Sequence, residues 1–239
     1  MHFDKQNKIL IEKFLKNIPV FRNFSENNLK QTIQNFSVMK INKNKTIVFQ
    51  SEDSTDLYIV LQGRVKVTIM DPEGNEFVLT TFRKGDFFGE MSLLDGKSRS
   101  ATVSAEEKTL LGVLKRERFL NAIKENSLIA IDLLTALVER LRKADEIIES
   151  FAFLQVKERL LKYLVECTHD ACERDEKGFY KIKKLTQRGI ASRIGASREA
   201  VSKVLINLIS KQYILEKEGC YLLSPYIYDQ ANKGFIDGL

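Results

Sequence analysis

TQRGIASRIGASREAVSKVLINLISK, residues 186–211, reads as two short helices joined by a tight turn. Thr186 is placed to cap a first helix running to Ile194, and Ser197 to cap a second running to about Lys211. A hydroxyl at such a position accepts from backbone N–H groups that a helix start leaves without partners. Gly195-Ala196-Ser197 supplies the turn, glycine tolerating the left-handed backbone that ends the first helix. Ile190, Ile194, Val201, Val204, Leu205 and Leu208 then form the core between the two helices. Arg198, Glu199, Ser202 and Lys203 are left on the opposite face, at the start of the second helix. This is the helix-turn-helix pattern, in which that end of the second helix enters a major groove.

The flanking sequence agrees. Downstream, Ile214 to Leu222 reads as two short strands around a turn, a wing. Upstream, Leu160, Leu161, Leu164 and Val165 lie on one side of a helix, and the polar stretch Thr168 to Gly178 reads as an exposed loop. Of the whole chain's formal charge of +6, the segment from Gly178 to Lys217 carries nine Lys or Arg against two acids, 9 − 2 = +7, so the rest is close to neutral. A basic surface confined to one segment implies a polyanionic partner. Arginine bonds guanine O6 and N7 together, and glutamate accepts from cytosine N4, so Arg198 and Glu199 are candidate base readers with Ser202 and Lys203. Glu199 has a second reading, as an acidic first-turn residue supporting its helix. Thr186, Arg188 and Ser197 are candidate phosphate contacts that set register.

Two further regions precede this one. From Ile41 to Leu114, apolar residues alternate between turn residues: Leu57 to Leu61, then Val65, Val67 and Ile69, a turn at Asp71-Pro72-Glu73-Gly74-Asn75, and Phe77, Leu79 and Thr81. Further strands are expected at Ala101 to Ala105 and Thr109 to Leu114. Period two means half-buried strands, and closely spaced strands with glycine turns describe a small barrel or roll. Asn7 to Val38 reads as short helices, with Ser25 as an N-cap. From Glu117 to Phe151 the period changes. Ala130, Leu134, Leu137, Leu141, Ala144, Ile148 and Phe151 follow one another at alternating spacings of four and three, the heptad pattern of a helix that packs on a partner helix. Charged flanks narrow that seam, which favours parallel dimerisation over a helix buried on its own domain. The expected domains are a ligand-sensing roll with N-terminal helices (1–116), a dimerisation helix and hinge (117–152), and a winged helix-turn-helix (153–239).

Composition excludes other classes. With 239 residues, 44% hydrophobic and 29% charged, the chain has room for proper cores. No run reaches the roughly 18 apolar residues of a membrane span, and the N-terminus lacks a signal-peptide core, so no membrane role and a cytoplasmic location are expected. Cys167, Cys172 and Cys220 are an odd number and imply reduced thiols. Cys167, His169 and Cys172 fit no standard zinc spacing, so no metal is expected. No Ser-His-Asp set, HExxH, P-loop or paired-carboxylate motif is found, and the chain is not expected to be an enzyme.

Gly89-Glu90-Met91-Ser92-Leu93-Leu94 followed by Arg99-Ser100-Ala101-Thr102 is similar to the phosphate-binding cassette of cyclic-nucleotide domains. With the stretch from Gly195 to Lys203, it makes residues from about Leu15 to Leu223 resemble the CRP/FNR family of bacterial transcription regulators. The resemblance implies an α+β fold: an N-terminal β-roll (the cyclic-nucleotide-binding jelly roll), a long dimerisation helix and a C-terminal winged helix-turn-helix. It implies a cyclic nucleotide or similar anionic effector held by Gly89, Glu90, Met91, Ser92, Arg99, Ser100 and Ala101, with Arg140 on the long helix pairing with Glu90. Arginine and Ser100 suit a cyclic phosphate, and the glutamate a ribose hydroxyl. It also implies allosteric control, a homodimer on double-stranded DNA with inverted-repeat half-sites, and RNA polymerase contacts at the loops Asp71 to Glu76 and Thr168 to Lys177, for which plain solvated loops are the alternative.

Departures from the family pattern narrow the branch. Where cyclic-AMP sensors carry a Thr-Ser pair that reads adenine, this chain has Ala144-Asp145, which weakens the case for cyclic AMP. Asp145 is suited to guanine N1–H and N2–H₂, or is simply an exposed helix charge. The first cysteine is Cys167, so the N-terminal cluster of iron–sulfur sensors is missing. His2 and His169 lie outside the roll, so haem is not expected either. Lys203 replaces a usual arginine, and a point donor implies looser base preference there. Two alternatives stay open: a family member acting without a ligand, and a cyclic-nucleotide regulatory module of an enzyme, which would leave the basic helix-turn-helix without a role.

Overall fold

The computed structural model describes residues 14–34, 36–169 and 173–232. The readings made on His2, on residues 7–13 and on Cys172 lie outside that range. The chain divides into two compact units, Met1–Lys143 and Ala144–Leu239.

The first unit is a β-roll with helices. Its strands are β1 (Ser37–Ile41), β2 (Thr46–Val48), β3 (Leu57–Gln62), β4 (Arg64–Met70), β5 (Glu76–Arg83), β6 (Phe87–Phe88), β7 (Thr102–Ala105) and β8 (Thr109–Leu114). They form two four-stranded antiparallel sheets, β1-β8-β3-β6 and β2-β7-β4-β5. Val48, Tyr58, Val60, Val65, Phe88, Val103, Leu111 and Val113, drawn from both sheets, make one core. Leu57, Ile59 and Leu114 join a second with Phe21, Phe24, Leu29, Phe119, Ile129 and Leu133. β3 is thus buried on both faces from Leu57 to Val60, a correction to the half-buried strand expected there. An unbroken apolar run is what a strand covered on both sides requires.

The helices of this part are α1 (Glu26–Gln34), α2 (Glu90–Asp95), α3 (Arg116–Glu125) and α4 (Leu128–Phe153), the last running past Lys143. Ser25 caps α1 as expected, its Oγ accepting from Asn28 N at 3.1 Å. The helical reading to Val38 fails at its end: Ser37 and Val38 belong to β1, paired with Val113 and Gly112. The helical region from Glu117 is also broken, at Asn126. Its Oδ1 accepts from Leu128 N at 3.1 Å and its Nδ2 donates to Asn23 O at 2.7 Å. A local side-chain bond of this kind ends one helix and starts the next.

The second unit holds the end of α4, α5 (Val156–His169), β9 (Tyr180–Lys183), α6 (Gln187–Ile194), α7 (Arg198–Ser210), β10 (Ile214–Lys217), β11 (Cys220–Leu223) and α8 (Pro225–Asn232). The two wing strands are as expected, and β9 adds a third, giving the order β10-β11-β9. Leu160, Leu161, Leu164, Ile190, Ile194, Val201, Leu205 and Leu208 share one core, with Val204 half-buried against it. Arg159 on α5 ties this core to the turn, donating to Ile194 O at 2.9 Å and Gly195 O at 3.3 Å, carbonyls that the end of α6 leaves free. Among the described residues, no helix is long and apolar enough to cross a membrane, and no group of three His, Cys, Asp or Glu could hold a metal ion.

Gly112 is the tightest point of the roll: a Cβ built there would lie 1.8 Å from Phe36 Cζ. Gly112→Ala is expected to destabilise the chain by about 3 kcal/mol, since the ring has to leave its place or the strand has to shift. A urea melt followed by tyrosine fluorescence measures this.

Candidate functional site

In the first unit, the turn from β6 into α2 and the stretch leading into β7 enclose a cavity of about 170 Å³. Gly89, Glu90, Met91, Ser92, Arg99, Ser100, Ala101 and Arg140 all line it. Eight of the ten residues expected to bind a ligand are thereby brought together. Ala144 and Asp145 are exposed farther along α4 and do not line this cavity.

Glu90 opens α2 and is only 5% exposed. A buried carboxylate needs a cation, and Arg140 supplies it, with Nη1 at 2.6 Å from Oε1. The same guanidinium donates to Phe87 O at 2.5 Å and lies 4.6 and 4.7 Å from the ring centroids of Phe82 and Phe87. The cassette and α4 are therefore joined by one arginine.

Arg99 is 4% exposed, and its hydrogen bonds go to neutral acceptors: Nε to Ser54 Oγ at 2.8 Å, Nη1 to Gly89 O at 3.0 Å and Nη2 to Asp56 O at 2.8 Å. The nearby carboxylate of Asp56 is taken by Lys115 at 2.7 Å, a bond that holds the Lys115 ammonium above the usual lysine range. Arg99 is thus a buried charge balanced by dipoles, which favours an anion entering the cavity beside it. Gly89 is required for this approach: its φ is 89°, and a Cβ there would lie 2.5 Å from Arg99 Nη1. Ser100 is exposed, and its hydroxyl rests on Met91 Sδ at 3.5 Å, a weak acceptor that an anionic oxygen outcompetes. Buried cation, exposed hydroxyl and carboxylate fit the phosphate and sugar of a nucleotide.

Val48, Val67, Leu79, Thr80, Phe82, Phe88 and Val103 complete the lining. The reading of Phe77, Leu79 and Thr81 as one alternating face is corrected by a bulge. Thr68 pairs with Val78 and Val67 with Thr80, leaving Leu79 as the extra residue, and the alternation of β5 shifts by one beyond it.

In the second unit, Thr186 Oγ1 accepts from Gly189 N at 3.0 Å and Ser197 Oγ from Ala200 N at 3.1 Å, so both expected caps form. Arg198, Glu199 and Lys203 are exposed, with Ser202 half-buried beside them, while Val201, Leu205 and Leu208 face the core. Thr186, Arg188 and Arg198 line a hollow of about 460 Å³ with Lys184, Leu185, Gln187, Glu216 and Tyr221. Lys184 and Gln187 were not singled out from the sequence; the position of Lys184 just before the capped helix was the available signal. Lys184 bonds Glu216 on the wing, which holds its ammonium above the usual lysine range and keeps it cationic.

Residues 38–126 match the cyclic nucleotide-binding domain family, and residues 158–225 match the Crp-like helix-turn-helix domain. The cyclic AMP receptor protein of Thermus thermophilus is 30% identical over 211 residues, covering 88% of this chain and 91% of that protein. The cAMP-activated global transcriptional regulator CRP of Haemophilus influenzae is 30% identical over 175 residues, 73% of this chain and 77% of that protein. A solved structure of a CRP/FNR-family transcriptional regulator from Thermus thermophilus superposes with a TM-score of 0.67 at 25% identity, covering 83% of this chain and 98% of that one. A cyclic-nucleotide-type roll and a DNA-reading helix-turn-helix define a transcription regulator. The chain belongs to the CRP/FNR family of such regulators.

Arg140→Met leaves Glu90 buried without its cation. The expected loss is about 2 kcal/mol of stability, part of it recovered in the double variant with Glu90→Gln. Urea denaturation of the four proteins in that cycle measures the coupling.

Proposed function

We propose that this chain is a cytoplasmic, homodimeric, ligand-gated regulator whose effector is a small anion of the cyclic-nucleotide class. The carrying observation is Arg99, a buried guanidinium without a carboxylate partner among the described residues, lining one cavity with Ser100 and Glu90. Arg99 and Ser100 hold the phosphate and Glu90 a sugar hydroxyl. Any ligand that competes for the Glu90 carboxylate also acts on Arg140 and so on α4. Gating requires that the ligand bind two arrangements of the protein with unequal affinity. The roles expected for the sequence divisions follow: 1–116 senses, 117–152 joins two copies, and 153–239 reads DNA.

On DNA, Arg198, Glu199, Ser202 and Lys203 read base edges, while Thr186, Arg188 and Ser197 hold phosphates. Two-fold symmetry gives an inverted repeat with half-sites about one helical turn apart. Two of the named relatives are a cyclic AMP receptor protein and a cAMP-activated regulator; Ala144-Asp145 in place of a Thr-Ser pair leaves the base of this chain's effector to experiment.

The test combines calorimetry of the full chain with cyclic AMP and cyclic GMP, and selection of bound sites from random DNA with and without each nucleotide. The expected result is nucleotide binding that Ser100→Ala weakens by about tenfold, with DNA retained more tightly in the presence of that nucleotide. Arg198→Ala is expected to weaken the selected site by about 1–3 kcal/mol and relax one base position. DNA binding that ignores every nucleotide identifies a family member that acts without a ligand. No DNA retained under any condition overturns the regulator and favours a regulatory module.

A further inference from the structure

The exposed apolar face of α4 keeps Leu134, Leu141, Ile148 and Phe151 of the heptad read in the sequence and adds Ile131 and Val138 on one side. Leu137 packs half-buried against the core of its own roll together with Ala136, and Leu133 is buried there. Ala130 is half-buried too. Ile131, Leu134, Val138, Leu141 and Ile148 are instead exposed at 57, 55, 49, 62 and 64%. Their spacings continue one stripe through Asp145: residues 131, 134, 138, 141, 145 and 148, at intervals of three, four, three, four and three. Leucines 134 and 141 occupy one of the two heptad positions. Ile131, Val138 and Asp145 occupy the other. β-branched residues at that second position with leucine at the first favour two parallel strands, and in such a pair each of these residues packs against its own copy.

We propose that Asp145 is a built-in like-charge layer of the homodimer seam, facing the partner subunit's Asp145 and limiting the strength of that dimer. The inference rests on the homodimer proposed above. Asp145 is the only charged residue in the stripe from Ile131 to Ile148. Arg142, one turn before it, attracts the carboxylate, and Glu149, one turn after, repels it. A polar residue at a single seam position costs stability while fixing register and strand number. The occupant of this face is therefore a second copy in one register, and whatever neutralises or donates to the two carboxylates tightens the dimer. Asp145 thereby makes subunit association adjustable at one layer.

Sedimentation of the full chain at a series of concentrations tests this. Asp145→Leu is expected to lower the dimer dissociation constant by about tenfold, the effect of removing one like-charge contact, and Asp145→Asn by less. Val138→Asp, which adds a second charged layer, is expected to raise it. Lys143→Gln, on the face of the helix away from the stripe, is expected to leave it within about twofold. As a second measurement, native mass spectrometry of an equimolar mixture of wild type and Asp145→Lys is expected to show heterodimers well above the statistical proportion of roughly one half. A wild-type dimer that is unchanged or weakened by Asp145→Leu, or that responds as strongly to Lys143→Gln, overturns the proposed layer alone. A wild-type chain that stays monomeric at every concentration and on DNA overturns the homodimer as well.

Discussion

The ion pair between Glu90 and Arg140 governs the arrangement of the sensing unit. A buried carboxylate that opens a short helix inside the roll needs a compensating cation, and the cation comes from α4. Leu133, Ala136, Leu137 and Arg140 are spaced three, one and three apart, so they share a face. Once Arg140 is held by Glu90 and the rings of Phe82 and Phe87, that face turns to the roll. Ile131, Leu134, Val138 and Leu141 are then left outward. One polar contact therefore shapes the lining of the cavity and also selects which side of the helix remains open to a partner.

The parts of the fold that local chemistry decides were legible in the sequence. Thr186, Gly195 and Ser197 mark helix starts and a turn through bonds to their own neighbours, and α6 and α7 begin and end where those residues place them. Most strands of the roll were equally plain. What escaped depends on distant packing: β3 covered on both faces, Leu79 extruded from its ladder, and Ser37 and Val38 taken into a sheet by β8. One edge of the exposed face of α4 was not legible, for a different reason. Two stripes of α4, one through Ala130, Leu137 and Ala144 and the other through Ile131, Val138 and Asp145, are adjacent and both mostly apolar, and only the roll's claim on Leu137 separates them.

The cavity residues were legible in another sense. Nothing in the spacing of Glu90, Arg99 and Ser100 alone implies a cavity, and their grouping came through likeness to a known cassette. The structure adds the physical content. Arg99 is supported by Ser54, Asp56 and Gly89, and the apolar walls come from strands that carry no motif.

In the proposed function the two units meet a phosphate in opposite ways. Arg99 is desolvated and held by dipoles, so its attraction is strong at short range and little screened. Arg188, Arg198 and Lys203 are exposed, and the gain proposed for them on DNA would come from released counterions, which makes it a function of salt. Lys203 adds an evolutionary consequence. Its side chain stands exposed on α7, away from the core residues Val201 and Leu205, so its replacement leaves the fold alone. A single nucleotide change converts a lysine codon to an arginine codon, and the point donor becomes a bidentate fork. On the reading proposed for Lys203, the DNA sites of this chain lie one mutation from a sharper set, while Gly89 and Gly112 leave no room for a side chain.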